Sequence, residues 1–289
     1  MTQELRTPAG SFTAEVAGPP AGSAPVVLLL HGFPQTRHTW RHQVPALGEA
    51  GYRAVAPDQR GYSPGARPDP GVDLVSYGID GLVEDALQLA EAAGCPATAR
   101  FHLVGHDWGG AIAWMLAAHH PDRLASLTVL SRPHPQAFGR AFRSDVGDQR
   151  QRSRHHKGFL DPATGPKLLE DGARRLRRNL STEGVPDPAI EEYLSVLGDP
   201  AAMEAALGWY RAVAGDLGRM EAGLVEVPTL YIWGDADATV SPEAAHWTAD
   251  FVSGPYRFET LSRVGHFATD QEPEHVTRIL FEHLAAHPA

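Results

Sequence analysis

The chain is short of several features that would point elsewhere. Cys95 is the only cysteine among 289 residues, which excludes an internal disulfide and a thiolate zinc site. There is no basic surplus: 25 Lys and Arg stand against 35 Asp and Glu, a formal charge of -10. Nucleic acid and anionic membrane both attract positive surface, so neither is expected as a partner. No run approaches the ~20 apolar residues of a membrane span. The opening MTQELRTPAG lacks the apolar stretch of a signal peptide. No phosphate loop, nucleotide fingerprint or metal-ligand cluster is legible, so no cofactor and no metal are expected. What remains is a globular composition, 43% hydrophobic and 21% charged, read as a cytoplasmic protein with a small-molecule substrate.

Short apolar runs recur at Val26 to Leu30, Tyr52 to Ala56, Phe101 to Val104 and Leu127 to Leu130. Helix-like stretches, Leu82 to Ala93 and Gly110 to His119, lie between the later ones. Buried strands alternating with helices predict a mostly parallel sheet covered on both faces. The pattern resumes with VPTLYIWGDAD, a helix-like run from Pro242 to Val252, YRFETLS and a closing helix over Glu272 to Leu284. Residues 133–225 differ. They lack strand-like runs, and their acidic and basic residues balance, so the rest of the chain carries the whole net charge. This block reads as a helical cap inserted between two sheet strands, leaving 1–132 and 226–289 as the α/β core.

Four pieces carry chemistry. Gly105-His106-Asp107-Trp108-Gly109 has the small-x-nucleophile-x-small form of a strand-to-helix elbow, with Asp107 at the nucleophile position. The bland alternative is an N-capping aspartate. LLLHGFP ends a strand at His31 to Pro34, where the Phe33 N–H and that of Trp108 would together form an oxyanion hole. WGDADATV offers Asp235 and Asp237 to orient a histidine, and Asp237, further past the strand, has the longer reach. RVGHFATDQEP puts His266 after the last strand, which gives the chain order nucleophile, acid, histidine.

With these motifs the sequence resembles the α/β-hydrolase superfamily, in its soluble epoxide hydrolase and haloalkane dehalogenase branch. The resemblance runs from about Val26 to the C-terminus, and HGFP and GHDWGG in particular resemble epoxide hydrolases. It implies an α/β-hydrolase fold, a nucleophile at Asp107, a charge-relay acid at Asp237, a base at His266 and a cap between the sixth and seventh core strands. It further implies that Tyr210, in LGWYRA, is a lid acid. The first of two lid tyrosines expected from the family is missing. QRSRHHKGFLDP has His155 and His156 there instead, which makes them candidate donors. Tyr193, in EEYLSVL, fits a helix face better than a site.

A carboxylate nucleophile narrows the chemistry. Attack on an ester would make a reactive anhydride, whereas displacement at an sp³ carbon makes an alkyl ester that activated water can cleave. Epoxides and alkyl halides fit that demand, and an epoxide is the expected substrate. Dehalogenation of a haloalkane or haloacetate is the rival, since Trp108 would suit a leaving halide. Fluoroacetate dehalogenases, however, carry arginines at the next and fourth positions after the nucleophile, here Trp108 and Ala111. Haloalkane dehalogenases usually carry a polar residue after HG, here Phe33. A third reading, a non-catalytic scaffold, fits poorly with an intact Asp107, Asp237 and His266 set.

Overall fold

The apolar runs of the sequence become strands buried from both sides. The computed structural model describes residues 1–213 and 220–289. Its strands are β1 (Thr2–Thr7), β2 (Gly10–Ala17), β3 (Val26–Leu30), β4 (Arg53–Pro57), β5 (Phe101–His106), β6 (Leu124–Leu130), β7 (Thr229–Gly234) and β8 (Tyr256–Leu261). They form one sheet in the order β1-β2-β4-β3-β5-β6-β7-β8. From β4 to β8 all neighbours are parallel, while β1 with β2 and β2 with β4 are antiparallel. The mostly parallel α/β sheet is as expected. The antiparallel pair β1–β2 was not expected from the sequence. Only Phe12, Ala14 and Val16 of β2 face the core, in alternation with half-exposed residues, so its apolar signal is thin.

Helices cover both faces. They are α1 (Gln43–Glu49), α2 (Ile79–Ala92), α3 (Trp108–His119), α4 (Pro135–Arg143), α5 (Gln149–Arg152), α6 (His155–Phe159), α7 (Thr164–Thr182), α8 (Asp187–Leu197), α9 (Pro200–Ala212), α10 (Pro242–His246), α11 (Ala268–Gln271) and α12 (Pro273–Ala286). Strand side chains alternate between faces. Leu28, Leu30 and Leu103 therefore join one core layer with Leu89 and Ile112. Val27, Leu29 and Val104 join the other with Val44, Ile279 and Leu280. Fully burying one such Leu or Ile contributes roughly 1.5–3 kcal/mol, so the layers hold the strand ends in fixed register. The run expected as one helix from Pro242 to Val252 is instead α10 followed by a 3₁₀ segment, Trp247–Phe251.

Between β6 and β7 the chain is helical, from α4 to α9. Asp199 caps α9 by accepting from the Ala201 N–H, and Pro200 follows in the first turn. Helix α7 is interrupted: Glu170 to Ala173 leave helical geometry, three of them at positive φ. Residues 214–219, part of the stretch expected as a cap, lie outside the described residues. Among the described residues no helix is long and apolar enough to cross a membrane.

Candidate active site

Parallel strands end on the same edge of the sheet, and that edge collects the polar residues of the sequence motifs. Asp107 follows β5 with φ 52° and ψ −114°, a conformation costly for any residue with a Cβ. The neighbouring glycines make the turn possible. A Cβ on Gly105 would run into the Gly109 carbonyl, and one on Gly109 into that of Leu30. Although Asp107 is at the N-cap position of α3, its side chain makes no capping bond. It is turned away from the helix to meet the HGFP loop, where the Phe33 N–H donates to Oδ1 at 3.0 Å. The Trp108 N–H opens α3 and so has no acceptor within its own helix.

His31 holds that loop. Its Nδ1 meets the Gly32 carbonyl at 3.0 Å, and its Nε2 accepts from the Gln59 N–H at 3.2 Å. Burial pushes its pKa down to about 4, so the ring stays neutral and keeps both bonds. The Phe33–Pro34 peptide is cis.

Asp237 and His266 meet across the ends of β7 and β8. His266 Nδ1 is 3.2 Å from Asp237 Oδ2, and Nε2 is 3.7 Å from Asp107 Oδ2. Asp237 is 0% exposed and accepts from Ser131 Oγ at 2.7 Å, Thr239 N and Oγ1 at 2.7 Å each, and Val240 N at 3.2 Å. Burial works to raise its pKa, but the charge and hydrogen bond of His266, with those from Ser131 and Thr239, hold it well below the carboxylate range. For His266 burial works downward. Asp237, and then Asp107, overcome it and lift the imidazole to about 9. Asp235, the other candidate, is exposed and accepts from the Arg263 N–H at 2.5 Å; it does not reach His266.

Above this row lies a cavity of about 410 Å³ lined by Asp107, His266, Phe33, Phe138, Phe159 and Tyr210, among others. Its size is that of a small-molecule site. Tyr210, on α9, is buried, with ring centroids 5.1 Å from Trp108 and 4.7 Å from Phe159. The Trp108 indole N–H donates toward the Tyr210 hydroxyl. His155 and His156, on α6, both line the cavity. Burial, then His155 and Arg132, push His156 to about 2, and burial also lowers His155. Both rings are thus neutral and cannot serve as imidazolium acids. His155 spends its one N–H, at Nδ1, on the Arg152 carbonyl at 2.9 Å, so of the two candidate donors only His156 has an N–H to give in the cavity. Tyr193 lies elsewhere, its hydroxyl donating to Asp270 at 2.8 Å.

Sequence reasoning missed three residues. Ser131 and Thr239 each bridge the pair, 2.9 Å from His266 Nδ1. Arg132 lines the cavity. Ser131 and Arg132 directly follow β6, beside β5. Position at the end of a parallel strand next to the nucleophile was the available signal. Among the described residues no group of His, Cys, Asp and Glu is arranged to hold a metal ion.

Comparison with known proteins agrees with this fold. The model of the alpha/beta hydrolase fold family matches residues 25–273. Epoxide hydrolase A of Mycobacterium tuberculosis is 33% identical, covering 93% of this chain and 92% of its own. A fluoroacetate dehalogenase from Burkholderia is 32% identical over 91% of this chain and 88% of its own. The solved structure of a Bacillus megaterium epoxide hydrolase in complex with an inhibitor superposes with a TM-score of 0.84 at 27% identity, covering 98% of this chain and 100% of that one. The chain belongs to the α/β-hydrolase fold family, in its epoxide-hydrolase-like branch.

Proposed function

We propose that the protein hydrolyses an epoxide to a vicinal diol in two covalent steps. One observation carries the reading. Asp107 Oδ1 is held by the Phe33 N–H, while Oδ2 accepts no hydrogen bond among the described residues and has His266 Nε2 3.7 Å away. That gap is too long for a hydrogen bond. In the first step Oδ2 attacks an epoxide carbon and the ring C–O bond breaks. Tyr210 gives its proton to the leaving oxygen, with the N–H group of His156 as a candidate further donor. The ester's carbonyl oxygen is then Oδ1, already at the Phe33 N–H and beside the first amide of α3.

In the second step His266 takes a proton from water, and the hydroxide attacks the ester carbonyl carbon. The Phe33 and Trp108 amides receive the oxyanion. Its collapse breaks the ester bond between the Asp107 carbonyl carbon and the product oxygen, which takes the proton remaining on the added hydroxyl and leaves as the diol, restoring the carboxylate. Asp237 steadies the imidazolium and fixes its tautomer. Alkylation also prepares the base. Esterified Asp107 has no charge, so one of the groups that lifts His266 to about 9 is gone when a neutral imidazole is needed. The helices over 133–225 act as a cap that carries Tyr210 and shapes the cavity. The setting is cytoplasmic and the partner a small molecule, without nucleic acid, membrane or cofactor.

Dehalogenation is the second reading, favoured by the fluoroacetate dehalogenase relative and by the cationic Arg132 in the cavity. The deciding experiment assays purified protein on terminal, aryl and cyclic epoxides beside bromoalkanes and fluoroacetate. Diol formation from epoxides, with little halide release, is expected. Halide release without diol formation would transfer the assignment to dehalogenation.

A further inference from the structure

Ring opening needs stabilisation of the leaving oxygen, and one of the two lid tyrosines expected for that task is absent from this sequence. Against Asp107 there is a second, smaller recess of about 10 Å³, walled by Asp107, Trp108, Arg132, His156 and Tyr210. That is room for about one water-sized group. Arg132 is 8% exposed. Its Nε and Nη2 are buried and have no hydrogen-bond partner among the described residues, and its guanidinium carbon lies 4.2 Å from the Phe138 ring centroid.

Arg123 Nη2 and Arg211 Nε are also buried without a hydrogen-bond partner. Those guanidiniums, however, hold Glu91 and Glu204 through other nitrogens, whereas Arg132 forms no ion pair among the described residues. Arg60 holds Asp85 through Nε and Nη2 at 2.6 and 2.5 Å, and Arg53 donates to the Ala93 and Pro19 carbonyls. A buried guanidinium left with free donors is costly to folding. Such a cost is common where a site is organised for a charge that appears only during reaction.

We infer that Arg132 is the second group that receives the opened epoxide oxygen, taking with Tyr210 the place of the missing lid tyrosine. The inference rests on the epoxide reading of the site. Asp107 Oδ2 forms a bond to carbon, and the ring C–O bond breaks with its electron pair on oxygen. That oxygen takes the Tyr210 proton, and the phenolate left behind faces Arg132. The proton that His266 removes from water in the second step returns to Tyr210, so the cycle closes.

The electrostatics change in the useful direction. Burial and then Asp107 hold the Tyr210 phenol well above its ordinary pKa, while the Trp108 indole N–H and Arg132 pull it down. Esterification deletes the Asp107 charge and leaves that of Arg132. Tyr210 therefore becomes a stronger acid as charge develops on the oxygen. Because Arg132 follows β6 and is not carried by the cap helices, it keeps its place beside the nucleophile whatever the cap does.

The test is single-turnover alkylation by styrene oxide, followed by hydrolysis of the adduct, in Arg132→Met and Arg132→Lys. Arg132→Met keeps an apolar stem over Phe138 and deletes the charge. Alkylation should slow by about 10²–10³-fold, hydrolysis of the formed adduct should change little, and Tm should not fall, because an unpaired buried charge is gone. Arg132→Lys should recover part of the alkylation rate by restoring the charge without the fork. Misfolding or a lower Tm in Arg132→Met, with both steps equally impaired in both variants, would make Arg132 structural and overturn the inference. So would a loss confined to 3-phenylglycidate and absent from 3-phenylglycidamide, which would make Arg132 a reader of substrate charge. If no epoxide alkylates the wild type, the epoxide reading itself fails and takes this inference with it.

Discussion

Replacing Asp237 by Asn separates the two covalent steps. In the wild type the carboxylate accepts from Ser131, from Thr239 twice, from Val240 and from His266. An amide oxygen at Oδ1 would keep the Thr239 and Val240 bonds. Its NH₂ at Oδ2 would then face two donors, Ser131 Oγ–H and His266 Nδ1–H. The imidazole is left without its anion and is pushed toward the tautomer that cannot take a proton at Nε2 from water. With the main group lifting it to about 9 removed, burial dominates and the pKa drops. By analogy with triads in which the acid is amidated, water activation should slow by about 10³–10⁴-fold. Alkylation, which uses Asp107 and not His266, should slow far less. Rapid-quench measurement of adduct formation and decay reads the two rates separately. Asp235→Asn keeps an oxygen to accept from the Arg263 N–H, deletes only an exposed charge and should leave both rates within about 3-fold of wild type, as surface changes usually do. Reversed effects of the two variants, or a loss in Asp237→Asn confined to alkylation, would refute the reasoning.

The same geometry makes four further predictions. His266→Ala should trap the first intermediate, so intact-protein mass spectrometry after epoxide addition should show a stable adduct that maps to Asp107; an adduct elsewhere would contradict the assignment. Tyr210→Phe should slow alkylation by an epoxide by at least ~10-fold and that by a matched bromide far less, because halide needs no proton; equal losses would leave Tyr210 a packing residue. Hydrolysis of the adduct should rise with pH to a plateau, with an apparent pKa below the value of about 9 at which His266 titrates beside charged Asp107. The folded-state pKa of His266 lies above its ordinary 6.5, so its stabilising contribution is complete below about pH 6.5 and lost as pH rises through about 9. Urea unfolding across that range should show the decline, and His266→Ala should flatten it.

The strands that place the site were legible because they are short, apolar and bounded by turn residues. HGFP, the Asp107 elbow and the His266 loop each directly follow such a strand. That Asp237, and not Asp235, lies beside His266 was legible by reach alone. Ser131, Arg132 and Thr239 were not, since nothing local marks them. Their importance comes from strand order, which sets β6 between β5 and β7 and so brings Ser131 between Asp237 and His266. Hairpin β1–β2 escaped because half of each strand is solvated. The neutral state of His155 and His156 was hidden too, because it depends on the burial of two adjacent rings beside Arg132.

The central claim is that an oxygen of Asp107 enters the product. A single turnover in H₂¹⁸O, with enzyme in excess over epoxide, tests it. The account predicts a first-turnover diol free of ¹⁸O and a label in the Asp107 carboxylate, located by peptide mass spectrometry. A diol labelled in the first turnover, with Asp107 unlabelled, would mean that water attacks the epoxide directly and would contradict the covalent mechanism.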